Sequence, residues 1–125
     1  MKEKKKNNKI KELKIPIYGG ILEIIVDKNF INERIKRNHI FGEFDDNNFF
    51  PSAMFSYSIN ELRYALFFNK SATYEDIFHE VFHLTFRIMS NIGVDLDENT
   101  NEVFAYLHGW LGEEVINIIN DNKSN

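Results

Sequence analysis

The chain has 125 residues, 43% of them hydrophobic and 27% charged, a composition that suits one globular domain with one core. It contains no cysteine, so disulfides and thiolate metal sites are excluded, and any transition-metal site must use His, Asp or Glu. No apolar run approaches the roughly 20 residues that a membrane-spanning helix needs. No apolar signal-peptide core follows the N-terminus either, so we expect a cytoplasmic protein without a membrane partner.

Positive charge is concentrated at the N-terminus. The first 14 residues hold seven lysines and two glutamates, a net charge of +5, which leaves −9 for the rest because the whole chain carries −4. We assign residues 1–10 to a basic flexible tail and residues 11–125 to a single domain. A short lysine run without aromatic residues is weak support for recognition of nucleic acid, so a solvated tail is the preferred interpretation.

The residue patterns predict the order strand, strand, short helix, strand, strand, helix, helix. Four strands are expected, at Lys11–Tyr18, Ile21–Val26, Ala53–Ser58 and Arg63–Phe68. Three helices are expected, at Phe30–Arg37, Tyr74–Asn91 and Asn99–Asn120, with a loop from His39 to Asn48. Gly19-Gly20 is typical of a hairpin turn, and Thr73 with Asp76 resembles a capping box before the second helix.

His79, Glu80 and His83 form the motif His-Glu-x-x-His inside the predicted helix Tyr74–Asn91. Residues four apart share one helix face, so the two imidazoles can bind one Zn²⁺ with bonds of about 2.0–2.1 Å. Glu80 is rotated by about 100° from His79, too far round for the natural third ligand. Its carboxylate can instead accept a proton from a metal-bound water, and this is the HExxH pattern of zinc metallopeptidases.

The apolar residues around the motif favour a buried helix. They form two adjacent stripes, one of Ile77, Val81, Leu84 and Ile88 and one of Phe78, Phe82 and Met89. A helix that is apolar over most of its circumference is largely buried, and its polar side chains then need partners. A metal ion is one such partner, while the alternative interpretation is a structural pair of helices that binds no metal.

Glu102 follows His83 by 19 positions and gives the spacing HExxH-x18-E. This spacing resembles the gluzincin branch of zinc metallopeptidases, and the chain is also similar to small HExxH proteins of phages and mobile elements. The resemblance implies one Zn²⁺ per chain held by His79, His83 and Glu102, and hydrolysis of a peptide or protein substrate. If a phage encodes the chain, the expected location is the host cytoplasm or a virion. It also implies an α+β, zincin-like fold, in which a small twisted, mainly antiparallel β-sheet packs on the HExxH helix and a second C-terminal helix.

Other side chains near this motif are further candidates. Glu98, one turn before Glu102, is the alternative third ligand. The resemblance implies a Tyr or His that steadies the oxyanion, and Tyr106 and His108 are the candidates for that role. The face that carries Glu102 also has small residues, which predict that it packs closely on the HExxH helix: Ala105, Gly109 and Gly112.

The strand directly before the HExxH helix is the candidate for substrate binding. In the family that the chain resembles, the strand nearest the cleft binds the substrate as an added strand. The candidate residues on it are Tyr64, Leu66 and Phe68. The alternative is that this segment is a central strand with no free edge.

A second interpretation of the whole chain is a catalytically silent zincin-like module, structural or binding, such as a phage component. Glu80 distinguishes the two, because a structural zinc site is normally closed by four protein ligands and has no use for a base. The motif therefore favours the enzyme.

Overall fold

A computed structural model describes residues 9–45 and 51–123 of the chain. Within them, the strands are β1 (Ile10–Lys14), β2 (Ile21–Val26), β3 (Ala53–Ser58) and β4 (Arg63–Phe68). The helices are α1 (Ile31–Lys36), α2 (Asn38–Phe41), α3 (Tyr74–Asn91) and α4 (Asn101–Lys123). Most of the predicted basic tail lies outside the described residues, and Ile10 already belongs to β1.

The four strands form one mixed sheet in the order β1-β2-β4-β3. The outer pairings, β1 with β2 and β3 with β4, are antiparallel, whereas the central pairing of β2 with β4 is parallel. A parallel pair requires a crossover, and here α1, α2 and β3 lie between the two strands in the chain. The predicted α+β class is confirmed, with a sheet that is mixed at its centre.

The two faces of the sheet are both covered. Alternate residues of β2 point to opposite faces, so Leu22 and Ile24 enter one apolar cluster with α3 and α4, while Ile25 enters another with α1. Burial on both faces explains why β2 reads as a nearly continuous apolar run. The larger cluster fixes α3 over β3 and β4 and places α4 beside it, over β2.

Helix α3 begins and ends at the predicted residues because both ends carry specific bonds. Thr73 Oγ1 accepts a hydrogen bond from Asp76 N, and Asp76 Oδ2 accepts one from Thr73 N, so the capping box is confirmed. At the other end, Asn91 Nδ2 donates to the Tyr64 hydroxyl over 2.8 Å. The helix that carries the histidines is therefore held at both termini.

The predicted bounds of the first strand and of the first and last helices differ from the observed ones, since α1 is one residue shorter at each end and α4 ends three residues later than expected. Strand β1 ends at Lys14, not Tyr18, because Tyr18 N bonds Pro16 O over 2.7 Å and Ile17 takes a φ of 70°, which makes a γ-turn. Part of the expected loop after His39 is the short helix α2. Helix α4 begins two residues later than expected, and Asp97 Oδ1 holds the preceding turn by accepting from Asn99 N and Thr100 N.

Candidate metal centre

His79 and His83 lie one turn apart on the exposed side of α3. Their Nε2 atoms are 3.1 Å apart, and their ring centroids are 4.8 Å apart. Two nitrogens that bind one tetrahedral Zn²⁺ at 2.0–2.1 Å lie about 3.3 Å from each other. The two rings therefore stand close to chelating distance, which is also a distance at which one ring can donate a hydrogen bond to the other.

Glu80 is half-buried on α3 beside the two histidines. The pKa of its carboxyl lies above the ordinary value. Burial is the main cause and the nearby Asp76 adds to it, while positive charge on His79 and His83 lowers the pKa without cancelling these effects. Its carboxylate makes no hydrogen bond with any residue that the structure describes. A raised pKa makes this carboxylate a stronger base than a fully exposed one.

The structure does not identify a third metal ligand beside the two histidines. Among residues 9–45 and 51–123, no group of three or more His, Asp or Glu side chains is placed to hold a metal ion. Phe82 contacts His108, so His108 is the part of α4 that lies beside the histidine pair. Glu102 precedes His108 by six residues, which is about 9 Å along the axis of α4. Neither Glu102 nor Glu98 forms such a group with the pair in the described residues, and their assignment stays a prediction.

The two candidates for stabilising an oxyanion differ in position. Tyr106 is 76% exposed on α4. His108 faces α3, where its ring meets the Phe82 ring edge-on at a centroid distance of 6.2 Å. Phe82 also contacts His83 at 6.5 Å, so a single aromatic ring links His108 to the histidine pair. Within the described part of the chain, the buried His108 Nε2 has no hydrogen-bond partner.

The aromatic side of α3 is more exposed than the sequence predicts. Ile77, Val81, Leu84, Ile88 and Met89 are buried, as expected. Phe78 and Phe82 were expected to be buried with them, yet they are 49% and 46% exposed, and Phe86 is 43% exposed. Helix α4 touches this side of α3 without covering it, so these three rings, four residues apart, form a half-exposed aromatic stripe beside His79 and His83.

A groove of about 340 Å³ lies between α3 and α4 at this stripe. Phe78, His108, Gly109 and Gly112 are among its lining residues. A Cβ atom added at Gly109 or Gly112 would have no neighbour within 4 Å, so the prediction that this small-residue face packs on α3 is wrong. Instead, α4 contributes its large residues to the core: Phe104, Leu107, Leu111 and Val115.

The predicted substrate strand requires a correction. Strand β4 pairs with β2 on one side and with β3 on the other, so it has no free edge to which a peptide can add. Tyr64, Leu66 and Phe68 are buried in the core below α3 and α4. The free edge on the side of α3 belongs to β3, whose Tyr57 ring lies 4.4 Å from the Arg87 guanidinium of that helix.

Comparison with protein-family models, with curated proteins and with solved structures found no match for this chain. Across the described residues, no helix combines the length and apolar character needed to cross a membrane. The function must therefore be argued from the site itself.

Proposed function

We propose that the protein is a zinc-dependent metallopeptidase of the zincin type, resembling the gluzincins. The observation that carries the proposal is the 3.1 Å separation of His79 Nε2 and His83 Nε2, with Glu80 on the same helix turn. Two imidazoles at this distance fit two positions of a tetrahedral zinc site. A neutral His–His hydrogen bond would account for the distance but not for a half-buried carboxylate next to it.

Each residue of the motif then has a separate role. His79 and His83 bind Zn²⁺, which when bound supplies Lewis acidity to a water and to a peptide carbonyl. Glu80 accepts the proton of the attacking water and returns it to the leaving amine. It serves as a general base and then a general acid from one position.

Glu102 is the proposed third ligand and Glu98 is the alternative. Both belong to the connection between α3 and α4 or to the first turn of α4, and both are exposed. Neither carboxylate lies with the histidine pair in a metal-binding group of the described residues, so the assignment of Glu102 or Glu98 rests on the sequence spacing.

The proposal is tested by measuring zinc content and peptide cleavage on the same preparations. The parent should bind about one Zn²⁺ per chain and cleave members of a random peptide library. Glu80→Gln preserves size and hydrogen bonding but removes the basicity, so it should retain zinc while cleavage falls by about 100-fold or more. A zinc-loaded parent that cleaves nothing would favour the silent zincin-like module, and equal cleavage by Glu80→Gln would contradict the role of Glu80.

A further inference from the structure

The aromatic stripe of α3 and the groove beside it form one continuous apolar surface. Phe78 belongs to both, and Phe82 contacts His83 on one side and His108 of the groove wall on the other. Large aromatic side chains that are about half exposed in a row are uncommon on a helix that also buries an apolar face. Their position beside the histidine pair points to a ligand that reaches both.

The groove is open because two positions of α4 lack side chains. Gly109 and Gly112 lie in the interior of a long helix, where glycine is unfavourable relative to alanine. A Cβ at either position would meet nothing within 4 Å, so no neighbouring protein atom requires glycine there. What the glycines do provide is space next to Phe78.

We propose that this groove receives a bulky apolar side chain of the peptide substrate, close to the bond that is cleaved. The inference rests on the proposed peptidase function and names its substrate class. A volume of about 340 Å³ is at the small end of ligand pockets and suits one large side chain. Most of the lining surface is apolar, which favours an uncharged side chain, and Glu113, the charged residue of the lining, disfavours an acidic one.

His108 gives the same groove a polar contact. Its Nε2 is buried without a hydrogen-bond partner in the described part of the chain, which is costly for a polar atom. The half-exposed Phe82 ring packs edge-on against the His108 ring. In this proposal Phe82 moves aside when the peptide binds, and a main-chain group of the peptide pairs with His108 Nε2 while the side chain fills the groove.

The test measures binding rather than cleavage, and uses full-length protein with Glu80→Gln so that the peptide survives. The probes are acetyl-Ala-Ala-Phe-Ala-Ala-amide and the same peptide with Ala or Glu at its centre. Dissociation constants come from the NMR shifts of the Gly109 and Gly112 amides. The Phe peptide should bind at least about 10-fold more tightly than the Ala peptide, and the Glu peptide should bind most weakly.

Two variants separate groove filling from unfolding. Gly112→Leu fills the groove and improves helix propensity, so it should abolish the preference for Phe, read on the Gly109 amide, without lowering Tm. Ala105→Leu makes the same kind of change at an exposed position outside the groove and should leave binding unchanged. Equal binding of the Phe and Ala peptides, undiminished Phe binding by Gly112→Leu, or no shift of either glycine amide would overturn the proposal.

Failure of the peptidase function is distinguishable from failure of this inference. Zinc binding and cleavage without any preference for an apolar residue would remove the groove from the substrate site and leave the enzyme intact. Tight Phe-dependent binding by a protein that neither holds zinc nor cleaves would retain the groove as a peptide site and remove the catalytic assignment.

Discussion

On one face of the sheet, Arg37 bridges Glu23 and Glu33, and on the other face His79 and His83 stand one turn apart on the exposed side of α3. Arg37 Nη2 lies 2.8 Å from Glu23 Oε2, and Arg37 Nη1 lies 3.0 Å from Glu33 Oε2. Arg63 approaches the second oxygen of Glu23 at 3.8 Å. We call Glu23, Glu33, Arg37 and Arg63 the Arg37 cluster, and its charges largely satisfy one another.

The histidine pair and Glu80 differ from the Arg37 cluster in what they leave available. Arg37 and Glu23 are only 11% and 12% exposed in their side chains, so their pairing is part of the packing. The two imidazoles share one close contact and otherwise face outward beside an apolar groove. Polar residues that stabilise a fold are usually hydrogen-bonded or paired within it. The imidazoles of this pair are instead exposed, so their nitrogens are accessible to a ligand such as a metal ion.

The largest expected effect is the loss of zinc from the histidine pair. Replacing His83 by Ala removes one of the two proposed zinc ligands on α3, so stoichiometric zinc binding should disappear in an equilibrium titration. His39→Ala is the matched control, because His39 is an exposed histidine on α2. Full zinc occupancy in His83→Ala would place the metal elsewhere.

Breaking the Arg37 cluster should instead destabilise the fold. Arg37→Ala leaves two partly buried carboxylates without their main partner, which should cost about 3 kcal/mol in the free energy of unfolding. The control Lys28→Ala removes one positive charge at an exposed position outside the cluster and should cost less than about 0.5 kcal/mol. Denaturant titrations of both variants measure this, and similar midpoints would show that the cluster contributes little.

A smaller effect identifies the third ligand. Glu102→Gln should weaken zinc binding by about 10-fold, because a neutral amide is a poorer ligand than a carboxylate. Glu98→Gln is the matched comparison, since Glu98 is also exposed and lies one turn earlier. If Glu98→Gln alone lowers affinity, the ligand is Glu98, and if neither does, both assignments are wrong.

The smallest expected effect is a pH dependence of stability within the Arg37 cluster. Burial raises the pKa of Glu33, but hydrogen bonds from Arg37 and Lys36 outweigh it and hold the pKa below its usual value. A lowered folded-state pKa stabilises the fold above the unfolded pKa of about 4.3 and loses that contribution as the pH falls through the folded pKa.

Glu33→Gln should therefore be less stable than the parent at pH 7, by under about 1 kcal/mol, and the difference should shrink below about pH 4. Thermal unfolding across this pH range measures the difference. Glu43→Gln, at an exposed position outside the cluster, controls for the loss of one negative charge. A difference that grows toward acid would contradict the assigned sign.

Local signals in the sequence were sufficient for most elements. Helix α3 and strands β2, β3 and β4 have the predicted bounds, because their periodicity and the Thr73–Asp76 cap act between near neighbours. The two histidines share a face for the same reason. Pairing between strands is non-local, so the residues of Arg63–Phe68 alone do not predict that β4 is central and parallel to β2.

The exposed aromatic stripe was missed for a related reason. The sequence shows two adjacent apolar stripes on α3, but only the position of α4 decides which stripe is covered. Phe78 lines the groove beside α4 and Phe82 contacts His108 of α4, yet both rings remain about half exposed. The sequence predicts that the glycines of α4 bring the two helices together, but they widen the groove instead.

The parallel pairing of β2 with β4 has a consequence during protein synthesis. Ile21 pairs with Arg63, so β2 is made 42 residues before its central partner leaves the ribosome. In that interval one edge of the strand Ile-Leu-Glu-Ile-Ile-Val is open, and such apolar, β-prone segments associate with one another. Glu23 is the single charge in this strand, and it stays hydrated until Arg37 and Arg63 are made. Because a charge disfavours association of such segments, Glu23 is expected to protect the nascent chain against aggregation before it joins the Arg37 cluster.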